Sequence, residues 1–277
     1  MNEYILGKGS EEVRNYIKCG FSEKLFEFAV NNEMLRKYGN IHLVDLKEEK
    51  KFNYDALFFD FTTPTSMRKP SKVKMILFQY KIADFYNIKN LKIPFANYKK
   101  IKPVHWTNNE FYRFELDSSL NSDGTVKEFY QHNGLVLAQN VKYYHVYYVA
   151  PKFHLLADLH ANLYKQTVYK NSAIIPFSRL VKYNPMKKGV DKPFNHYMHY
   201  DASNSIFKLC SEEINGQMIN SESVLDLFGN INQISLEQIG LDNGKLSNLD
   251  YPQIVKEIVK LTLEGNENAQ PIIAFFD

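Results

Sequence analysis

Two apolar runs, residues 52–60 (FNYDALFFD) and 73–81 (VKMILFQYK), constrain this chain more than anything else in it. Both are dense in aromatic and branched side chains and a turn-rich stretch separates them, so they read as two strands of one sheet. Each carries polar residues where a buried strand has little use for them. Asp55 stands at the head of the first. Gln79 interrupts the apolar stretch Met75–Phe78 of the second, and Lys81 follows two positions later. Strand side chains alternate, so Gln79 and Lys81 project from the same face. A buried amide needs partners, and an acid with an amide oxygen suits a hard divalent cation. The plainer reading of Asp55 is a strand-end turn residue, and of Lys81 a snorkelling lysine.

The elements around these strands fill in an order. Residues 22–38 read as a helix, with Ser22 as N-cap, Glu23 in the first turn, and Leu25, Phe26, Phe28, Ala29, Met34 and Leu35 giving a broad apolar face. Gly39 ends it. A short strand over 41–46 follows, then the charged run 47–51, then the two strands already described. Residues 82–110 read as irregular, and 110–116 as a strand. Residues 127–140 read as a helix carrying Gln131 and His132, and 143–149 as a buried strand. The fold class is therefore α/β (α+β), with a mixed central sheet in an αβββαβ core over residues 1–150. Residues 151–277 form a C-terminal, mainly helical extension packed on that core. Within it, 154–165 is amphipathic, 173–177 and 196–200 alternate like strands, and Asp250 with Pro252 opens the clearest late helix.

Composition narrows the function classes only a little. The chain has 277 residues, 44% of them hydrophobic and 23% charged, which is ordinary globular composition. A formal charge of +3 does not by itself imply a nucleic-acid partner. The cluster Arg68, Lys69, Lys72 and Lys74 does place cations near the two strands, where they suit a phosphate backbone or serve as a solvated loop. Two cysteines, Cys19 and Cys210, make no disulfide framework and no metal-ligand spacing. No signal peptide opens the chain and no apolar run reaches membrane-spanning length, so a cytoplasmic protein without membrane contact is expected. His154, His196 and His199 lack further ligands at a zinc spacing. Glu23 and Glu27 lie four apart on one helix face, and either would add the charge that a neutral Gln79 withholds from a cation. Gln131 and His132 form an accessory polar pair, with His132 a general base or a structural histidine.

The helix segment 25–30 (LFEFAV), residues 54–56 (YDA) and residues 78–81 (FQYK) resemble the motifs of the PD-(D/E)xK, or restriction-like, nuclease superfamily in its Gln-x-Lys variant. Residues 111–114, 131–133, 147–154 and 172–176 are similar to a poorly characterised bacterial group within it. The resemblance implies the restriction-endonuclease-like αβββαβ core. It also implies a nuclease that hydrolyses phosphodiester bonds, DNA favoured, with Mg²⁺ or Mn²⁺ held by Asp55 and Gln79. By motif match Asp55, Gln79 and Lys81 are the catalytic positions, joined by Glu27 and Glu23. Restriction or anti-phage defence is the implied setting, with a homodimer or a defence-system protein as partner. Two rival expectations stand beside it: an inactive nucleic-acid- or protein-binding module of the same fold, and an interaction subunit whose role lies in residues 150–277.

Overall fold

The computed structural model of the protein describes residues 16–38, 41–43, 54–63, 69–87, 110–115, 135, 144–177, 196–200, 206–211, 217–220 and 233–264. Its centre is a mixed six-stranded sheet, five strands in one row and a sixth, two-residue strand at Ile234–Ser235 paired beside them. Strands β2 (Ile41–Leu43), β3 (Ala56–Thr62) and β4 (Lys72–Tyr80) form an antiparallel meander. Strand β7 (Tyr144–Pro151) then lies parallel to β4, and β8 (Ser172–Pro176) antiparallel to β7, giving the order β2-β3-β4-β7-β8. The two runs singled out in the sequence are thus neighbours, paired from Ala56↔Phe78 to Thr62↔Lys72.

Strand β4 is apolar without alternation because both of its faces are covered. Phe26, Ala29, Val30 and Met34 of helix α1 (Glu23–Tyr38) pack on the face that carries Phe58, Ile76, Phe78 and Tyr80. Leu159 of helix α2 (Leu156–Lys165) joins them. The opposite face, with Leu57, Phe59, Met75, Leu77 and Tyr148, packs against Ile254 and Ile258 of a late helix. Ser22 caps α1 as expected, its hydroxyl accepting from the Leu25 amide at 3.2 Å. The apolar face of α1 is narrower than its sequence suggests. Leu25, Phe28 and Leu35 are exposed, at 38%, 62% and 50%. Apolar residues spread around a helix that is half polar do not announce which stripe turns inward.

A second sheet was not legible in the chain. Strands β1 (Tyr16–Ile17), β5 (Asp84–Asn87), β6 (Glu110–Glu115), β9 (His196–Tyr200), β10 (Ile206–Ser211) and β11 (Gln217–Asn220) form it in the order β1-β5-β6-β9-β10-β11. Every neighbouring pair is antiparallel. The irregular reading of 82–110 therefore gives way to a strand at 84–87. The mainly helical reading of 151–277 holds among the described residues for α2 and again from 236 onward. Upstream, that stretch donates β8 to the central sheet and three strands to the second. These strands are short, and only β8 and β9 carry a visible alternation; β10 and β11 join β9 as successive neighbours, and β9 meets β6 across a long stretch of sequence.

The last described segment is helical. After the two-residue β12 (Ile234–Ser235), which pairs with the start of β4, come a 3₁₀ turn at Leu236–Ile239, helix α3 (Asn243–Ser247) and helix α4 (Tyr251–Val259). Asp250 caps α4 in a capping box: its carboxylate accepts from the Gln253 amide at 2.9 Å, and the Gln253 side chain accepts from the Asp250 amide at 2.7 Å. The helix expected over 127–140 falls outside the described residues except for Leu135, which is helical and buried. No helix among the described residues is long and apolar enough to cross a membrane.

Candidate functional site

Asp55 and Gln79 meet. They are 2% and 1% exposed, and the Gln79 side-chain amide donates to Asp55 Oδ2 at 2.6 Å. The same oxygen accepts the Tyr80 backbone N–H at 2.6 Å, while the Asp55 N–H donates to the Phe78 carbonyl at 2.9 Å. The geometry follows from where the strands stop. Strand β3 begins at Ala56, so Asp55 is one residue short of the ladder. Its carboxylate takes the place that a carbonyl would have held opposite Tyr80. Gln79 Oε1 is buried and takes no hydrogen bond among the described residues. An amide oxygen left in that condition carries a desolvation penalty unless something electropositive reaches it.

Helix α1 brings a second carboxylate. The Glu27 side chain is 14% exposed, and its Oε2, though 2.9 Å from Lys24 Nζ, makes no hydrogen bond among the described residues. That contact is a charge approach without hydrogen-bond alignment. One turn later, buried Asn31 accepts a hydrogen bond from the Tyr80 hydroxyl, which pins α1 to β4. Burial drives the Tyr80 phenol well above its ordinary pKa, and the charges of Asp55 and Glu27 push it further in the same direction. Both carboxylates therefore act on one phenol. Glu23, at the first position of α1, is half-buried one turn farther out. Of the two glutamates, Glu27 is the one set beside Tyr80.

Lys81 follows the last residue of β4 and is half-buried. Its backbone N–H donates to the Val149 carbonyl at 2.9 Å, so the pairing with β7 runs one residue past the strand and alternation carries Lys81 to the Gln79 side. A carboxylate and an amide oxygen in contact are hard-ligand chemistry. Among the described residues no three His, Cys, Asp or Glu side chains form a ligand cluster. A cation here would rest on Asp55 and Gln79 Oε1, while Glu27 stands on the Tyr80 side of β4.

No family model, curated protein or solved structure matches the chain. What the site can do therefore follows from its own geometry.

The other residues singled out in the sequence lie elsewhere. Lys72 and Lys74 sit at the start of β4, five to seven residues from Gln79, which is about 17–23 Å along a strand. Lys69 donates to the Leu249 carbonyl, and Lys74 approaches Asp60 at 3.6 Å. The structure does not bring this cluster to the Asp55–Gln79 pair. Arg68, Gln131 and His132 are outside the described residues. His154 is packed as a structural ring, stacked on Phe85 at 4.6 Å with Nδ1 3.5 Å from the Tyr112 hydroxyl, and burial lowers its pKa.

Sequence reasoning missed Asn31 and Tyr80. The signal for Asn31 was present, since it is a polar residue four after Glu27 on the stripe that carries Phe26, Val30 and Met34. Tyr80 was hidden as the middle residue of Gln-Tyr-Lys, pointing to the opposite face from its neighbours.

Tyr80 belongs to a set whose titration is testable. Burial is the leading cause that raises the phenols of Tyr80, Tyr112, Tyr144 and Tyr200 above their ordinary values. A group held protonated by the fold loses its proton first in the unfolded chain. Its stabilisation is therefore complete below about pH 10 and is lost as pH rises toward the folded-state value. Phenolate absorbance and circular dichroism followed together should show these phenols ionising only as the fold is lost. Complete ionisation of every tyrosine with an unchanged spectrum of secondary structure would contradict their burial.

Proposed function

We propose that this chain is a divalent-metal-dependent phosphodiesterase acting on nucleic acid, DNA favoured, built on a restriction-endonuclease-like core. The observation that carries the reading is the buried Asp55–Gln79 contact, made where β3 and β4 end side by side. The topology supports it in part: α1, the β2-β3-β4 meander, and β7 parallel to β4 match the order αβββ…β, while the second helix of that core falls on residues outside those described. Asp55 and Gln79 are the residues that would hold Mg²⁺ or Mn²⁺, with Glu27 adding negative charge from the Tyr80 side. Bound there, the ion supplies Lewis acidity toward a phosphoryl oxygen and a more acidic attacking water. The chain's own side chains do the remainder. Lys81 offers a cation to charge developing on the phosphate and orients the water. The Asn31–Tyr80 bond keeps Glu27 on the sheet, and the Tyr80 N–H holds Asp55 in one rotamer. Restriction or anti-phage defence, in a cytoplasmic protein acting as a homodimer or with a defence-system partner, is the setting this chemistry suits.

A second reading has one observation in its favour. Gln79 is neutral where a second carboxylate would bind the ion more strongly, and an inactive binding module would tolerate that. Incubating the purified chain with plasmid, single-stranded DNA and RNA in Mg²⁺, Mn²⁺ or EDTA, beside Asp55→Asn, separates the two. The phosphodiesterase gives products in metal, none in EDTA and none with the variant. A binding module gives retarded but intact nucleic acid in every condition.

A further inference from the structure

A groove of about 310 Å³ opens beside the end of β7, lined among others by Lys152, Phe153, Asp158, Asn162, Lys165 and Asn171. Strands β4 and β7 run parallel with Gln79 opposite Tyr148 and Tyr80 opposite Val149. Residues just past β7 therefore lie at the same end of the sheet as Gln79 and Lys81. The link is also made through side chains. The Phe26 ring packs 6.0 Å from the ring of Tyr80 and 6.4 Å from that of Phe153, so a single ring separates Tyr80 from the groove wall.

The wall is held in place before any ligand arrives. Asn162 Oδ1 accepts from Thr167 Oγ1 at 2.9 Å and from Asn171 Nδ2 at 2.6 Å. The Asn171 carbonyl accepts the Lys152 N–H at 2.9 Å. Lys165 closes α2, whose cap residue Gln166 takes the left-handed conformation at φ 54°. One hydrogen-bonded turn thus fixes the backbone under both lysines. Asp158 is the opposing charge on the same wall, which leaves the groove with two cations against one anion. The Lys69–Lys74 cluster, by contrast, is at the far end of β4, with Lys69 bonded to Leu249 and Lys74 facing Asp60.

We propose that the groove carrying Lys152 and Lys165 holds the phosphate backbone of a nucleic acid whose scissile bond lies at the Asp55–Gln79 pair. This rests on the phosphodiesterase reading. The test is fluorescence anisotropy of a labelled DNA duplex, single strand and RNA across a salt series, with Ca²⁺ replacing Mg²⁺ to hold back cleavage. Removing one lysine from a phosphate should flatten the slope of log K against log salt by about 0.9 for a duplex. Lys152→Ala/Lys165→Ala should therefore weaken binding and flatten the slope by about 2, with an unchanged melting temperature. Asp158→Asn should tighten binding, and Lys69→Ala/Lys72→Ala/Lys74→Ala should leave the slope alone. A double variant that binds with wild-type affinity and slope overturns the groove and leaves the phosphodiesterase reading standing. A slope that flattens only in the triple variant also overturns the groove. A wild type that binds none of the three probes overturns both readings together. Groove-dependent binding without metal-dependent cleavage supports the groove and removes the catalytic reading.

Discussion

Asp55→Asn should keep the fold and lose metal-dependent cleavage. The new side chain has the same shape, and its carbonyl oxygen has lone pairs for both donors that now reach Oδ2, the Tyr80 N–H and the Gln79 amide. What disappears is the anion. Charge-assisted hydrogen bonds become neutral ones, a loss of about 1 kcal/mol. Cleavage should fall by at least the factor of about 10²–10³ typical of removing a single electrostatic contributor. The Tyr80 phenol supplies an independent readout, because Asp55 is one of the charges that raise it. Its alkaline titration should shift downward in the variant while circular dichroism at neutral pH is unchanged. Cleavage at the wild-type rate would remove Asp55 from the chemistry.

Gln79→Glu should have the larger effect on stability, and its sign should depend on the ion. Without metal the substitution sets a second carboxylate against Asp55 at a position 1% exposed, and the donated amide N–H is gone. An uncompensated buried charge costs about 3–5 kcal/mol. Two carboxylates in contact share a proton rather than both ionise, so one of them titrates at a raised pKa. A raised folded-state pKa gives stability at low pH that is lost as pH rises. In EDTA the variant should therefore melt far below wild type at pH 7.5, and the gap should narrow on acidification. With Mn²⁺ present the added charge has a cation to face, and the melt should recover. A variant as stable as wild type in EDTA at pH 7.5 would show that position 79 tolerates an ion without help.

Strands β3 and β4 announce themselves in the sequence because a strand buried on both faces has to be apolar throughout, which makes Gln79 conspicuous. Helix α1 and the α4 cap follow local rules, seen in the Ser22 hydroxyl and the Asp250–Gln253 box. The parallel pairing of β7 with β4 uses the long connection that such a step needs, though the sequence implied no more than a mixed sheet. The second sheet was invisible because β1, β5, β6 and β9 are joined across long stretches of sequence, while β10 and β11 add only short neighbouring strands. Asn31 acts at Tyr80, a position that alternation assigns to the face opposite Gln79. The basic cluster at 68–74 looked close to the site in sequence, yet the length of β4 carries Lys72 and Lys74 to the other end of the sheet.

If Asp55 and Gln79 hold a divalent cation, with Glu27 adding charge from the Tyr80 side, the ion should bind without any nucleic acid present. Titration of Mn²⁺ into the full chain, with free ion counted by electron paramagnetic resonance, tests this most directly beside Asp55→Asn and Glu27→Gln. Saturable binding is expected for wild type, with none for Asp55→Asn and a weaker affinity for Glu27→Gln. Binding that is absent from wild type, or identical in Asp55→Asn, would contradict the site.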